Sequence, residues 1–133
     1  MDLLTSEEQK QSDEALKYLK SNKREFFDRL ADKSTYLSDT VSVSLFMAGS
    51  PGAGKTEMSK RLTEIFKSKP IRIDADEIRE FFPEYKGTNS YIFQHAADKG
   101  INMLLDYALH KNINFILDAT FAYAEAEKIS EGA

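Results

Sequence analysis

The chain has 133 residues, a formal net charge of −4, 41% hydrophobic residues and no cysteine. That length supports one domain with a modest core. The acidic balance, with no basic run against it, argues against general affinity for nucleic acid or membrane surfaces, and the absence of cysteine removes disulfides and thiolate metal sites together. No apolar run approaches the ~20 residues that span a bilayer. The start, Met1 to Glu8, has neither the basic region nor the apolar core of a signal peptide, so the expected location is cytoplasmic.

From Thr5 to about Asp32 the sequence is polar and helix-favouring, with apolar positions at Ala15, Leu16 and Leu19 and again at Phe26, Phe27 and Leu30. Two short amphipathic helices are expected. Thr5 or Ser6 caps the first, with Glu8 placed for a capping box, and Ser21 caps the second. Lys33 to Thr40 reads as a polar connector anchored by Tyr36 and Leu37, which divides the chain into a helical extension and connector (1–40) and a core (41–133).

Val41 to Ala48 alternates and then runs apolar, as a strand entering a buried sheet does. It leads into Gly49-Ser50-Pro51-Gly52-Ala53-Gly54-Lys55-Thr56, which satisfies G-x-x-x-x-G-K-[ST] at every fixed position and is followed by Met58, Leu62, Ile65 and Phe66 at helical spacing. At ordinary residue frequencies the four fixed positions match by chance in only a few windows per ~10⁵. The motif between a strand and a helix therefore points to nucleotide binding. Glycines let the backbone close around a phosphate chain with successive N–H groups aimed inward, and the helix N-terminus adds partial positive charge. Lys55 then reaches the β/γ-phosphates of ATP, and the Thr56 hydroxyl holds Mg²⁺.

Pro70 breaks that helix and opens a second strand, Ile71-Arg72-Ile73, ending in Asp74-Ala75-Asp76; Glu77 to Phe82 reads as one or two helical turns stopped by Pro83. From Asn89 an unbroken apolar stripe through Ile92/Phe93, Ala96/Ala97, Gly100/Ile101, Leu104/Leu105 and Ala108/Leu109 predicts one long helix. Gly100 lies on the stripe and reads as a close-packing position, and Asn112 as the left-handed C-terminal residue. Ile113 to Leu117 forms a third strand ending in Asp118-Ala119-Thr120, before a last helical stretch from Ala122 to Lys128.

The alternation implies an α/β fold with a P-loop NTPase-like parallel sheet flanked by helices, limited to about three strands and preceded by a helical extension. Ligands of such sheets sit at the carboxyl ends of the strands, where the phosphate loop, Asp74/Asp76 and Asp118/Thr120 all fall. One of Asp74 and Asp76 can take the proton of an acceptor hydroxyl while the other caps the helix that follows. Asp118 has the position of a carboxylate that supports Mg²⁺, or that binds substrate, and Thr120 either donates to substrate or caps the next helix. His95, beside the apolar stripe, reads as structural, and His110, near a helix end, as a partner of the helix dipole.

In this order the blocks Gly49 to Thr56, Ile73-Asp74-Ala75-Asp76-Glu77-Ile78-Arg79 with Phe82-Pro83-Glu84-Tyr85, and Phe115 to Thr120 resemble the zeta toxin family, P-loop kinases of bacterial toxin–antitoxin systems. The resemblance covers about residues 41–125 and implies ATP-dependent phosphorylation of the 3′-hydroxyl of the amino sugar in UDP-N-acetylglucosamine. It matches Asp76 to the general base, Lys55 and Thr56 to the ATP- and Mg²⁺-binding pair, and Asp118 and Thr120 to the residues that contact the sugar nucleotide; Asp118 stands where the family often has glutamate. It also implies a helical antitoxin that obstructs the ATP site, a role the segment Thr5 to Asp32 could play in cis. The family continues past Ala133 into further strands and an arginine-bearing lid, so the chain is expected to be a truncated product, fragment or disrupted gene that binds ATP but turns over poorly, with an apolar sheet edge left bare. Two other functions fit the same residues: a kinase of another small molecule, and a non-catalytic nucleotide- or antitoxin-binding fragment.

Overall fold

A computed structural model describes residues 4–47 and 66–118. The phosphate-loop motif, the helix expected after it as far as Ile65, Thr120 and the expected C-terminal helix lie outside the described residues. Strands β1 (Ser44–Met47), β2 (Ile71–Asp74) and β3 (Phe115–Asp118) form a parallel sheet in the order β1-β3-β2. Parallel neighbours require crossovers rather than hairpins, which accounts for the helices between them. β1 begins three residues later than the apolar pattern predicts. The Val43 N–H is taken by a side chain, Oδ1 of Asn114 at 2.7 Å, and Val41 and Val43 are exposed.

Helix α1 (Ser6–Ser21) opens with the predicted capping box: Oγ1 of Thr5 accepts from Glu8 N–H at 3.1 Å and Oε1 of Glu8 accepts from Thr5 N–H at 2.9 Å. Helix α2 (Lys23–Leu30) follows at once, and its N-cap is Asn22 rather than Ser21, which still belongs to α1. Asn22 closes one helix and opens the next, because its side chain donates to Tyr18 O at 2.8 Å while its carbonyl accepts from Phe26 N–H at 3.0 Å. In the connector Tyr36 is partly buried against the core, but Leu37 is exposed and anchors nothing.

After β2 comes the short helix α3 (Ala75–Arg79). The long helix predicted from Asn89 begins as a 3₁₀ turn, Ser90–Phe93, and becomes α4 at Gln94–Lys111. Asn89 is the residue before the turn and gives it no side-chain cap, because its side chain faces back, accepting from Lys86 N–H at 2.8 Å and donating to Glu84 O at 3.1 Å. α4 ends as predicted, with Asn112 in the left-handed region at φ 55° and its N–H on Ala108 O.

Side chains alternate across the sheet. On one face Ile71, Ile73 and Phe115 are buried in a core shared with Ala96, Ala97, Leu104 and Ala108 of α4, Ile78 of α3, and Leu19 and Phe26 of α1 and α2. Phe26, Phe81 and Phe82 pack edge-on through this core, with centroids 5.2 Å and 5.7 Å apart. Gly100 is the close-packing position predicted, since a Cβ there would stand 2.8 Å from Cγ2 of Ile78 and 3.1 Å from Cζ of Phe26. The other face carries a small cluster of Met47, Phe66 and Ile116 with Leu45. At the amino end of the sheet the buried Asn114 ties the strands together: besides accepting from Val43 it donates to Asp39 at 2.7 Å and to Ser68 O at 3.0 Å.

Candidate functional site

Parallel register sets the geometry at the carboxyl ends. Met47, Asp118 and Asp74 are Cα partners across the three strands, so the last residues of β1, β3 and β2 form one row. Met47 lies two residues before the first glycine of the phosphate-loop motif, and Asp118 two before Thr120. Asp74 and Asp118, in register on neighbouring strands, are both half-buried and share the sheet face of Arg72 and Ile116.

The two post-strand aspartates divide as their spacing allows. Asp74 is the N-cap of α3, its Oδ1 accepting from Asp76 N–H at 2.9 Å. Burial pushes the Asp74 carboxyl above its ordinary pKa, and the charges of Asp118 and Asp76 push the same way; the bond from the Asp76 N–H and the Arg72 guanidinium oppose them. Glu77 is shifted upward too, first by burial and then by Asp74, with Arg72 opposing. The strand ends thus gather negative charge.

Asp76, in the first turn of α3, is the exposed member of the pair, with 81% of its side chain open to solvent. Behind it lies Arg79, 1% exposed, whose Nη1 donates to Oδ1 of Asp76 at 2.9 Å. Nη2 of Arg79 donates to Oε1 of Gln94 at 2.8 Å, and Nε2 of Gln94 donates to Oδ1 of Asp98 at 2.9 Å. Sequence reasoning assigned nothing to Arg79 or Gln94. The i, i+3 spacing of Asp76 and Arg79 was a signal for that pair, whereas the approach of α4 to α3, which brings Gln94, leaves no trace in spacing.

The structure thus brings Asp74, Asp76 and Asp118 to one end of the sheet, while Gly49 to Thr56 and Thr120 lie outside the described residues. His95 and His110 are exposed on α4, so His95 is a surface residue rather than a structural one. Chemically, an exposed carboxylate held from behind can accept a proton from an alcohol, and half-buried carboxylates at strand ends suit the support of a hydrated divalent cation. Among the described residues no three His, Cys, Asp or Glu side chains converge as a complete metal-binding set. None of the described helices is long and apolar enough to cross a membrane. Two hollows among the described residues lie elsewhere: a groove of about 740 Å³ between α2 and α4, and one of about 340 Å³ between α1 and the Phe82 to Glu84 segment.

Comparison with known proteins gives two findings. The family model described as zeta toxin matches residues 27–133. Among solved structures, a chain from a study of the PezAT chromosomal toxin–antitoxin system of the human pathogen Streptococcus pneumoniae superposes with a TM-score of 0.60 at 22% sequence identity. The match covers 90% of this chain and 48% of that one, so the protein spans about half the length of the solved chain whose fold it shares. No curated protein sequence matches the chain.

Proposed function

The chain belongs to the zeta toxin family, and from that premise we propose that its site performs ATP-dependent phosphoryl transfer to a hydroxyl of a sugar nucleotide, UDP-N-acetylglucosamine by family resemblance. The observation that carries the reading is the row of strand ends, in which Met47, leading into the phosphate-loop motif, lies in register with Asp118 and Asp74, and Asp76 follows two residues on. Gly49 to Thr56 wrap the phosphates with backbone N–H groups, and Lys55 reaches the β/γ-phosphates. Thr56 and Asp118 would hold Mg²⁺, which supplies neutralisation of the charge on the transferring phosphoryl group. Asp118 and Thr120 hold the sugar nucleotide. Asp76 takes the hydroxyl proton as the alcohol oxygen bonds to the γ-phosphorus and the bond to the ADP oxygen breaks. On this reading the protein is a cytoplasmic toxin-type kinase whose partner is a helical antitoxin, in keeping with the toxin–antitoxin system from which the similar solved chain comes.

The test is incubation with ATP, Mg²⁺ and UDP-N-acetylglucosamine, following ADP and phosphorylated sugar nucleotide together. Asp76→Ala is expected to lower turnover by about 10²–10⁴ with ATP affinity retained, and Lys55→Ala to weaken ATP binding and turnover together. Phosphorylation of a different acceptor would replace the substrate assignment. ATP binding without ADP release would reduce the protein to a nucleotide-binding module.

A further inference from the structure

A fully buried guanidinium is costly unless it is paired and hydrogen-bonded, and one of the groups that Arg79 bonds, the Asp76 carboxylate, is 81% exposed. An ion pair at the solvent boundary adds little stability, so the contact is poorly explained as a brace for the fold. Geometry gives it a direction. The arginine head is enclosed and has a second anchor in Gln94, itself held by Asp98, whereas the aspartate sits on the first turn of a five-residue helix with its side chain in water. The enclosed group restrains the exposed one.

We propose that Arg79 is a positioning residue: through the relay Asp98–Gln94–Arg79 it locks the Asp76 carboxylate in one rotamer at the end of β2, presenting its second oxygen to the acceptor alcohol. The inference rests on the reading of Asp76 as proton acceptor. An unrestrained aspartate distributes over the staggered χ1 wells, and a bond from Nη1 to Oδ1 selects one. Oδ2, which has no hydrogen-bond partner among the described residues, is left for substrate. Arginine suits this task because its planar fork serves two acceptors in fixed directions, Asp76 and Gln94, which a lysine point charge does not. A misplacement of about 1 Å at a reacting group costs on the order of 10²-fold in rate, so the relay acts on kcat.

Two readouts on the full chain test this. Three-bond couplings to the Asp76 carboxyl carbon report its χ1 populations by NMR, with no substrate needed. One rotamer is expected to dominate in the wild type and to give way to averaging in Arg79→Lys and in Gln94→Leu, the latter chosen to keep the fold if the former unfolds. In the kinase assay kcat is expected to fall about 10- to 100-fold in Arg79→Lys, with the KM for ATP within about two-fold, whereas a merely structural role would lower the melting temperature and leave the rotamer and the kcat of the folded fraction unchanged. A fixed Asp76 rotamer in a folded variant, or an unchanged kcat, overturns the proposal. If the wild type shows no turnover, the assignment under Proposed function fails, and the couplings alone decide whether Arg79 holds Asp76.

Discussion

Gly100→Ala sets two effects against each other, and the structure gives the sizes. In mid-helix, alanine is favoured over glycine by about 0.5–1 kcal/mol. The new methyl, however, would stand 2.8 Å from Cγ2 of Ile78 and 3.1 Å from Cζ of Phe26, where carbon atoms prefer about 3.5–4.0 Å. Neither neighbour can retreat easily: both are buried, and the β-branch of Ile78 is held stiff at χ1 on its helix. α3 must therefore move off α4 by up to roughly 1 Å, or the side chains must leave their rotamers, at a cost of about 1–3 kcal/mol. The expected net effect is destabilisation of about 1–2 kcal/mol, a fall of about 4–8 °C in melting temperature for a domain of this size. Thermal or urea unfolding measures it. The clash itself is isolated in an Ile78→Ala background, where the room is opened and Gly100→Ala should become neutral or stabilising. A rise of a few degrees in the wild-type background would mean that helix propensity decides and that the contact between α3 and α4 yields freely, refuting the reasoning.

Asp74→Asn keeps the α3 cap, since the amide oxygen can still accept from Asp76 N–H, and removes a carboxyl whose pKa is raised by burial and by Asp118. A carboxyl with a folded pKa above its unfolded one favours the protonated form in the fold. It costs nothing below the unfolded value, costs more as pH climbs to the folded value, and costs a constant amount above it. The variant should therefore be the more stable at pH 7, by under about 1 kcal/mol after solvent screening, with the advantage gone below about pH 4; urea midpoints against pH check this, and a constant offset would contradict it. Asn114→Ala removes a buried side chain and its part-buried bonds to the Val43 N–H, to Asp39 and to Ser68 O, and should cost about 1–3 kcal/mol, read from the same unfolding curves.

Periodicity carried most of the architecture. The i, i+3/i+4 stripe of α4, the capping box at Thr5 and the left-handed Asn112 are local, and each was legible because local chemistry determines it. A misreading arose where one residue had two claims on it: Asn22 rather than Ser21 divides α1 from α2 because it serves both. At the site, the Asp-x-Asp spacing offered one base and one cap without saying which was which, only the family resemblance naming Asp76 as the base, and the cap is Asp74. Arg79 was inside a quoted motif yet had no assigned role, because its burial and its bond to Gln94 arise from the packing of α3 on α4.

Strand order and register were the least legible features, and they are what make a site of separate motifs. Spacing along the chain cannot show that β3 lies between β1 and β2, nor that Asp118 and Asp74 are level with each other. A slip of one residue in β3 would turn Asp118 to the opposite face of the sheet. What opposes the slip is at the far end: Asn114, directly before β3, bonds at once to Val43 ahead of β1 and to Ser68 ahead of β2, and its carbonyl accepts from Ile71 N–H at 2.9 Å. At about 3.3 Å of rise per residue, a polar knot roughly four residues from the strand ends thus sets the position of the carboxylates there. The fold stations its register control at the amino end of the sheet, leaving the carboxyl end to the acidic side chains of the site.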